Sequence, residues 1–148
     1  MGLPAFMADG NLPVDVHRAS LEEVIDRFGS RSPQRITMGA RLTRIHRVAH
    51  STGKVARFVI FGSFVTSKLE PNDVDLFMVM EDTFDAAQLT GEVTLLFDHG
   101  AAATHFGASI FWVRRFAAMG GEQSTVEYWQ VTREGGKRGI VEIVEVIS

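Results

Sequence analysis

Two segments decide the fold: FVIFGS at residues 58–63 and, after a nine-residue gap, DVDLFMVM at residues 73–80. In the first segment a glycine and a serine close an apolar run, and in the second a pair of aspartates opens one. Because the side chains of a strand alternate between its two faces, Asp73 and Asp75 are predicted to point to the same side, about 7 Å apart. Two carboxylates placed in this way repel each other unless a cation lies between them.

The cation that best suits this pair is Mg²⁺, with Mn²⁺ as a substitute, since magnesium takes hard oxygen ligands and leaves positions for phosphate oxygens. Gly62 lets a phosphate approach the backbone because it has no Cβ. Ser63, at the start of a predicted short helix, offers N–H groups and a hydroxyl. The simpler alternatives are a plain strand-to-helix turn at Gly62 and Ser63, a turn capped by Asn72-Asp73, and a solvated sheet edge at Asp75. However, Asp75 enters an apolar strand, where a carboxylate is costly unless it is paired or metal-bound. Together these features predict a nucleoside triphosphate held over a divalent cation.

Composition limits the remaining classes of function. The chain has 148 residues, of which 45% are hydrophobic and 22% charged, so we expect one folded domain with a real core. A net charge of -3 gives no reason to expect broad nucleic-acid binding. The lack of cysteine excludes disulfides, a thiol nucleophile and a cysteine-based zinc site. With no signal-peptide pattern and no apolar run of roughly 18 residues, a cytoplasmic protein without a membrane partner is expected.

Short β-rich runs alternate with longer helical patterns along the chain. This alternation indicates an α/β (α+β) fold in which a mixed, twisted β-sheet is flanked by helices. An extended lead-in is expected first, and a short helix is expected after Gly62. Strands are predicted at 55–61, 74–80, 108–113 and 140–147, and helices at 21–28, 33–51, 84–98 and 122–133. On the second of these helices an apolar stripe is formed by Met38, Leu42, Ile45 and Ala49.

The glycine-serine turn and the D-x-D pair, at this spacing, resemble the signature of the DNA polymerase β-type nucleotidyltransferase superfamily. The resemblance is greatest to its small prokaryotic minimal nucleotidyltransferases. The run GSFVTSK at residues 62–68 and the run EPND at residues 70–73 are further similar to a little-characterised bacterial group of that superfamily. The resemblance implies one nucleotidyltransferase-like domain over residues 1–148, with residues 1–19 as its extended lead-in.

It also implies the roles of particular residues and partners. By this resemblance Gly62, Ser63 and Lys68 bind the nucleotide, whereas Asp73 and Asp75 bind the divalent metal and are catalytic. The implied substrate is a nucleoside triphosphate, and the implied acceptor is a hydroxyl on a protein or an RNA. Such minimal enzymes often work within toxin–antitoxin or defence pairs, so a cognate toxin or antitoxin protein is an implied partner.

The third carboxylate of the superfamily site is where this sequence departs from the pattern. The corresponding strand, ASIFWV at residues 108–113, contains no acid, and Ser109 stands at the expected position. Serine carries no charge to hold a second cation and is not a general base near neutral pH. Two alternatives therefore stay open. The chain is an active enzyme in which Asp98, Glu127 or Glu142 supplies the acid, or it is a degenerate module that binds a nucleotide or a protein partner without turnover.

Two further features are ambiguous in the sequence. Lys137 and Arg138 lie in a glycine-rich turn, where they are candidates for phosphate contact, with a solvated turn as the alternative. Trp112 and Trp129 are expected to pack in the core, with base stacking as the alternative.

Overall fold

The computed structural model describes residues 3–117, 121–131 and 136–145. They form a five-stranded mixed sheet flanked by helices, which confirms the predicted fold class. The strands are β1 Val16–Ala19, β2 Val55–Phe61, β3 Val74–Met80, β4 Ala108–Arg114 and β5 Ile140–Ile143. The helices are α1 Leu21–Phe28, α2 Pro33–His50, α3 Val93–Leu96, α4 His99–Phe106 and α5 Glu122–Tyr128, and single 3₁₀ turns occur at Ser63–Val65, Ala86–Gln88 and Arg115–Ala117.

The order of strands across the sheet is β1-β5-β2-β3-β4. The outer pairs, β1 with β5 and β3 with β4, are parallel, whereas β2 runs antiparallel to both of its neighbours. Strand β5, the last in chain order, therefore lies between the first two strands and is buried along its whole length. The sheet depends on pairing between the two ends of the described chain.

Helices α1 to α4 cover one face of the sheet. Helix α1 begins at a capping box, in which the Ser20 hydroxyl accepts from the Glu23 N–H and the Glu23 carboxylate accepts from the Ser20 N–H. Helix α2 packs its apolar stripe against the sheet, and the whole predicted stripe is buried: Met38, Leu42, Ile45 and Ala49. In the part of the chain that the structure describes, no helix is long and apolar enough to cross a membrane.

The other face of the sheet has a smaller cover. Helix α5 lies on it and buries Val126 against Val59, Phe77 and Val79. Because β-strand side chains alternate, the residues of β3 that point to this face are Asp75, Phe77 and Val79, while the residues between them point into the larger core. The aspartates predicted to bind metal are thus placed on the less covered face.

The predicted helix at 84–98 is wrong. The segment contains only the 3₁₀ turn at Ala86–Gln88 and the short helix α3, and a separate helix α4 begins at His99. Gly91 has φ +75°, a left-handed conformation that no α-helix contains, so the apolar periodicity is interrupted there. Asp98 is the N-cap of α4, where its carboxylate accepts from the Ala101 N–H, rather than the end of the preceding helix.

Other predicted boundaries also need correction. The lead-in at 1–19 is not simply extended, because its last four residues form strand β1 and pair with β5. Helix α5 ends at Tyr128, five residues before the predicted end at 133, and residues 132 and 133 lie outside the described ranges. The final strand is shorter than predicted and ends at Ile143, although the last residues of the predicted range are also outside the description.

A histidine pair at the contact between α2 and β2 makes the stability of the fold depend on pH. The rings of His46 and His50 lie 4.2 Å apart, and the His46 ring contacts Phe58 edge-on at 5.0 Å. Burial, and then the charge of His50, lower the pKa of His46 from 6.5 to about 4. Between these pH values the unfolded chain binds more protons than the folded one. The stability contributed by the neutral ring is therefore present above about pH 6.5 and is lost as the pH falls towards 4.

Candidate functional site

A cleft of about 470 Å³ opens on the face of the sheet that carries the aspartates. It is lined by the residues of the sequence signature and by Ser109: Gly62, Ser63, Asp73, Asp75 and Ser109. Its other lining residues are Phe61, Asn72, Phe111, Trp129, Val131 and Arg138. The two halves of the sequence signature therefore meet at one place in the fold.

The register of three neighbouring strands brings these side chains together. Phe61 at the end of β2 is opposite Asp75 on β3, and Asp75 is opposite Ser109 on β4. Side chains at matching positions of paired strands point to the same face and lie about 5 Å apart. Ser109 thus occupies the neighbouring-strand position predicted for it. Asp73, one residue before β3, is exposed at the mouth of the cleft, whereas Asp75 is half-buried inside it.

Gly62 is required at the turn by its conformation and by its neighbour. Its φ of +78° and ψ of −164° lie in a region that is essentially restricted to glycine. A Cβ at this position would overlap Asp75 Oδ2 and lie 3.2 Å from the carboxyl carbon of Asp75. The space that a side chain would fill is therefore taken by the carboxylate, so the glycine sets the position of Asp75 as well as the path of the turn.

The segment after Gly62 is a single 3₁₀ turn at Ser63–Val65, shorter than the predicted helix. The Thr66 N–H donates to the Ser63 carbonyl at 3.2 Å, and the Thr66 hydroxyl donates to the same oxygen at 2.7 Å. Phe64 and Val65 are fully buried, so this turn is anchored in the larger core by its side chains. Phe64 accordingly does not line the cleft, although Ser63 does.

Arg35 holds the chain that follows the glycine-serine turn, and it was not identified in the sequence. This side chain is 6% exposed. Its guanidinium donates to the carbonyls of Phe28, Phe64, Thr66 and Lys68, at distances from 2.5 to 3.1 Å. Burial lowers the pKa of Arg35 from its usual value. One buried cation therefore ties the end of α1, the start of α2 and residues 64–68 together.

Not every predicted site residue lies at the cleft. Lys68 is exposed and is not a lining residue, and it is its carbonyl that Arg35 binds. Of the two basic residues near the end of the chain, Arg138 lines the cleft, whereas Lys137 pairs with Val131 in an isolated β-bridge and is exposed.

The three acids considered as substitutes for the missing carboxylate are engaged elsewhere. Glu142 forms an ion pair with Arg57, whose Nε donates to Glu142 Oε1 at 3.1 Å. Asp98 caps α4, and Glu127 lines a different cleft of about 630 Å³ beside β1. Within the described ranges no group of three or more histidine, aspartate or glutamate residues could hold a metal ion. Asp73 and Asp75 are thus the acids that this cleft offers among the described residues.

Fold and cleft together define a mixed α/β protein with a glycine-serine turn and two aspartates at the edge of an open cleft. The chain belongs to a family of unknown function, DUF6932, whose family model matches residues 4–144. A search of curated proteins finds no match to the chain. A search of solved structures also finds no match.

The helical periodicity of the sequence indicates that Arg35 is buried. Position 35 is three residues before Met38, so it continues the apolar stripe of α2 towards the start of the helix. An arginine on the buried face of a helix must find hydrogen-bond acceptors, which indicates that its side chain holds other segments of the chain.

Trp129 also differs from expectation, because it is half-buried and lines the cleft instead of lying wholly in the core.

Proposed function

We propose that this chain is a nucleotidyltransferase-like protein that binds a nucleoside triphosphate with Mg²⁺ or Mn²⁺ in the cleft. It would transfer the nucleoside monophosphate to a hydroxyl of a protein or an RNA. A single observation carries the proposal: Gly62 and Ser63 line the same cleft as Asp73 and Asp75, although the first pair follows β2 and the second pair lies at the start of β3.

The chemistry of the donors fits one hard divalent cation. Asp73 and Asp75 provide carboxylate oxygens at one side of the cleft, and Gly62 leaves the space in which the Asp75 carboxylate lies. When bound, the cation would offset the negative charge of the phosphates and of the two aspartates. Arg138, on the lining of the same cleft, is a second positive group suited to a phosphate oxygen.

The reaction needs an acceptor oxygen to form a bond to the α-phosphorus while the bond to the bridging oxygen of pyrophosphate breaks. The hydroxyl proton must leave to a base. The carboxylates of the described cleft are the same two that would hold the cation, and Asp73, the more exposed of them, would have to accept that proton with an oxygen that does not bind the cation. The other lining groups contribute by positioning the triphosphate, which is a large part of catalysis in phosphoryl chemistry.

A second candidate function is a nucleotide-binding or protein-binding module without turnover. The observation that favours it is the register of Ser109 with Asp75, which puts an uncharged residue where a third acid is expected. With two carboxylates the cleft suits one cation, so activation of the acceptor hydroxyl would be weak. Nucleotide would then bind, and the cleft would act as a sensor or as a partner-regulated site, for instance within a toxin–antitoxin pair.

The test uses nucleoside triphosphates labelled at the α-phosphate. The pure protein is incubated with each of the four, with Mg²⁺ or Mn²⁺, and with total cell lysate. The active enzyme produces labelled protein or RNA, and Asp75→Asn abolishes that label and the divalent-dependent binding while far-ultraviolet circular dichroism is unchanged. Binding without label would select the second candidate. Equal Mg²⁺–nucleotide affinity of the wild type and Asp75→Asn in calorimetry would reject the metal role of the aspartates.

A further inference from the structure

The cleft has two chemically different sets of lining residues. The carboxylates, the glycine-serine turn and Ser109 supply the polar part of the lining, whereas three half-buried aromatic rings, one of them next to Asp75 and two further from it, supply the apolar part. These rings, which we call the aromatic shelf, are those of Phe61, Phe111 and Trp129. A ligand that fills such a cleft needs a charged part and a flat apolar part joined in one molecule.

The shelf is a connected set of rings. Trp129 lies 4.7 Å from Phe61 and 4.9 Å from Phe111, centroid to centroid, with interplanar angles of 37° and 35°. Phe77, which is 1% exposed, supports Trp129 from the sheet at 5.3 Å in a stacked arrangement. The His99 ring stacks on Phe111 at 4.7 Å. These contacts fix the rings, so binding a planar ligand on them costs little side-chain entropy.

The spacing between shelf and carboxylates follows from the register of the strands. Phe61 pairs directly with Asp75, and Phe111 is two residues beyond Ser109 on the same face of β4. Two residues along a strand correspond to about 7 Å. A planar ring on the shelf would therefore be about one sugar ring away from a charged group at the aspartates.

We infer that the aromatic shelf binds the base of the nucleotide. This inference rests on the proposed function and adds the part of the ligand that the aspartates do not contact. Base–aromatic stacking tolerates every base, because each has a π-face, so the shelf provides affinity for nucleotides as a class. A nucleoside triphosphate thus binds more tightly than inorganic triphosphate, which carries the same charged chain without a base. The expected ratio of the two affinities is about tenfold or more.

The two tryptophans of the chain provide a matched optical test. Trp129 lines the cleft, whereas Trp112 packs on the opposite face of the sheet, where its indole N–H donates to the Phe97 carbonyl at 3.0 Å. Trp112→Phe leaves Trp129 as the single indole, and Trp129→Phe leaves Trp112. With Mg²⁺, at least one of ATP, GTP, CTP and UTP should quench the emission of the first variant. None should quench the second, and tripolyphosphate should quench neither.

Affinity measurements complete the experiment. In calorimetry, Trp129→Leu should lower the affinity for the nucleotide that quenches Trp129 about tenfold. It should leave the affinity for tripolyphosphate unchanged. Tripolyphosphate and all four nucleotides could bind with equal affinity and leave Trp129 emission unaltered. This result would refute base binding by the aromatic shelf and leave the proposed cation and phosphate site in place. Nucleotide quenching that is unchanged by removal of Mg²⁺ and by Asp75→Asn would support the shelf and reject the proposed function. If no probe binds, both are rejected.

Discussion

Replacing Arg35 with methionine is expected to cost about 4 kcal/mol of unfolding free energy. Methionine keeps an unbranched apolar stem but removes all donors to the carbonyls of Phe28, Phe64, Thr66 and Lys68. A buried acceptor without a donor costs about 1 to 3 kcal/mol. About 1 kcal/mol for each of the four carbonyls gives the value of about 4 kcal/mol. The low end of the range applies because Lys68, at least, is at the surface, where water can replace the lost donor.

The estimate is a large fraction of the total stability of an ordinary domain, which is about 5 to 15 kcal/mol. Arg35→Lys should lose about half as much unfolding free energy as Arg35→Met. An ammonium keeps the charge and up to three donors, but it lacks the planar guanidinium that reaches all four carbonyls. The assay is urea unfolding followed by circular dichroism, with the free energy extrapolated to water.

Arg47→Met is the matched control, because Arg47 is on the same helix and is exposed. This control should change the stability by no more than about 0.5 kcal/mol. If Arg35→Met and Arg47→Met were equally stable, the four carbonyls would not depend on the guanidinium, and its role in holding the turn would be refuted.

Three other substitutions test separate features. Gly62→Ala should cost about 2 to 4 kcal/mol, since it adds backbone strain and an overlap with the neighbouring carboxylate. Gly53→Ala, with φ +69° and open space around it, should cost only about 1 kcal/mol, and equal losses in urea unfolding would argue against the overlap. The wild type should lose about 1 kcal/mol of unfolding free energy between pH 7 and 5, because burial lowers the pKa of His46 to about 4. His46→Phe should abolish this loss. That loss should persist in His105→Gln, a change at an exposed histidine, and a wild-type stability independent of pH would contradict the mechanism. Ser109→Asp should raise metal-dependent transfer about tenfold or more by supplying a third acid. Robust wild-type transfer that this substitution lowers would show that another carboxylate has the role.

Local sequence patterns were sufficient for the elements near the cleft. Strands β2 and β3 follow each other in the chain, and their apolar runs predict both their type and their faces. Asp75 could be placed beside Gly62 because neighbouring strands in sequence usually pair. The position of Ser109 followed from one further assumption, that β4 is the next strand of the sheet, and the register bears this out.

Features that depend on distant contacts could not be predicted in this way. Strand β1 has four residues, VHRA, which are too few to show an alternating pattern, and its partner is β5 at the far end of the chain. The apolar stripe of α2 indicates that Arg35 is buried, but the carbonyls that it binds come from distant segments and cannot be identified from the helix pattern. In the segment 84–98 the apolar residues favour one helix, but Gly91 has a positive φ, which no continuous helix contains.

The place of β5 in the sheet has a consequence for synthesis. During translation β1 and β2 leave the ribosome early. The strand that pairs with both of them, β5 at Ile140–Ile143, emerges only near the end. Until then both flanking edges carry unpaired N–H and C=O groups, which are open to strands of other chains. A nascent chain interrupted before residue 140 therefore has an unfinished sheet rather than a shorter working domain. Premature termination in this region should produce aggregates or chaperone clients, with no soluble fragment that retains the cleft.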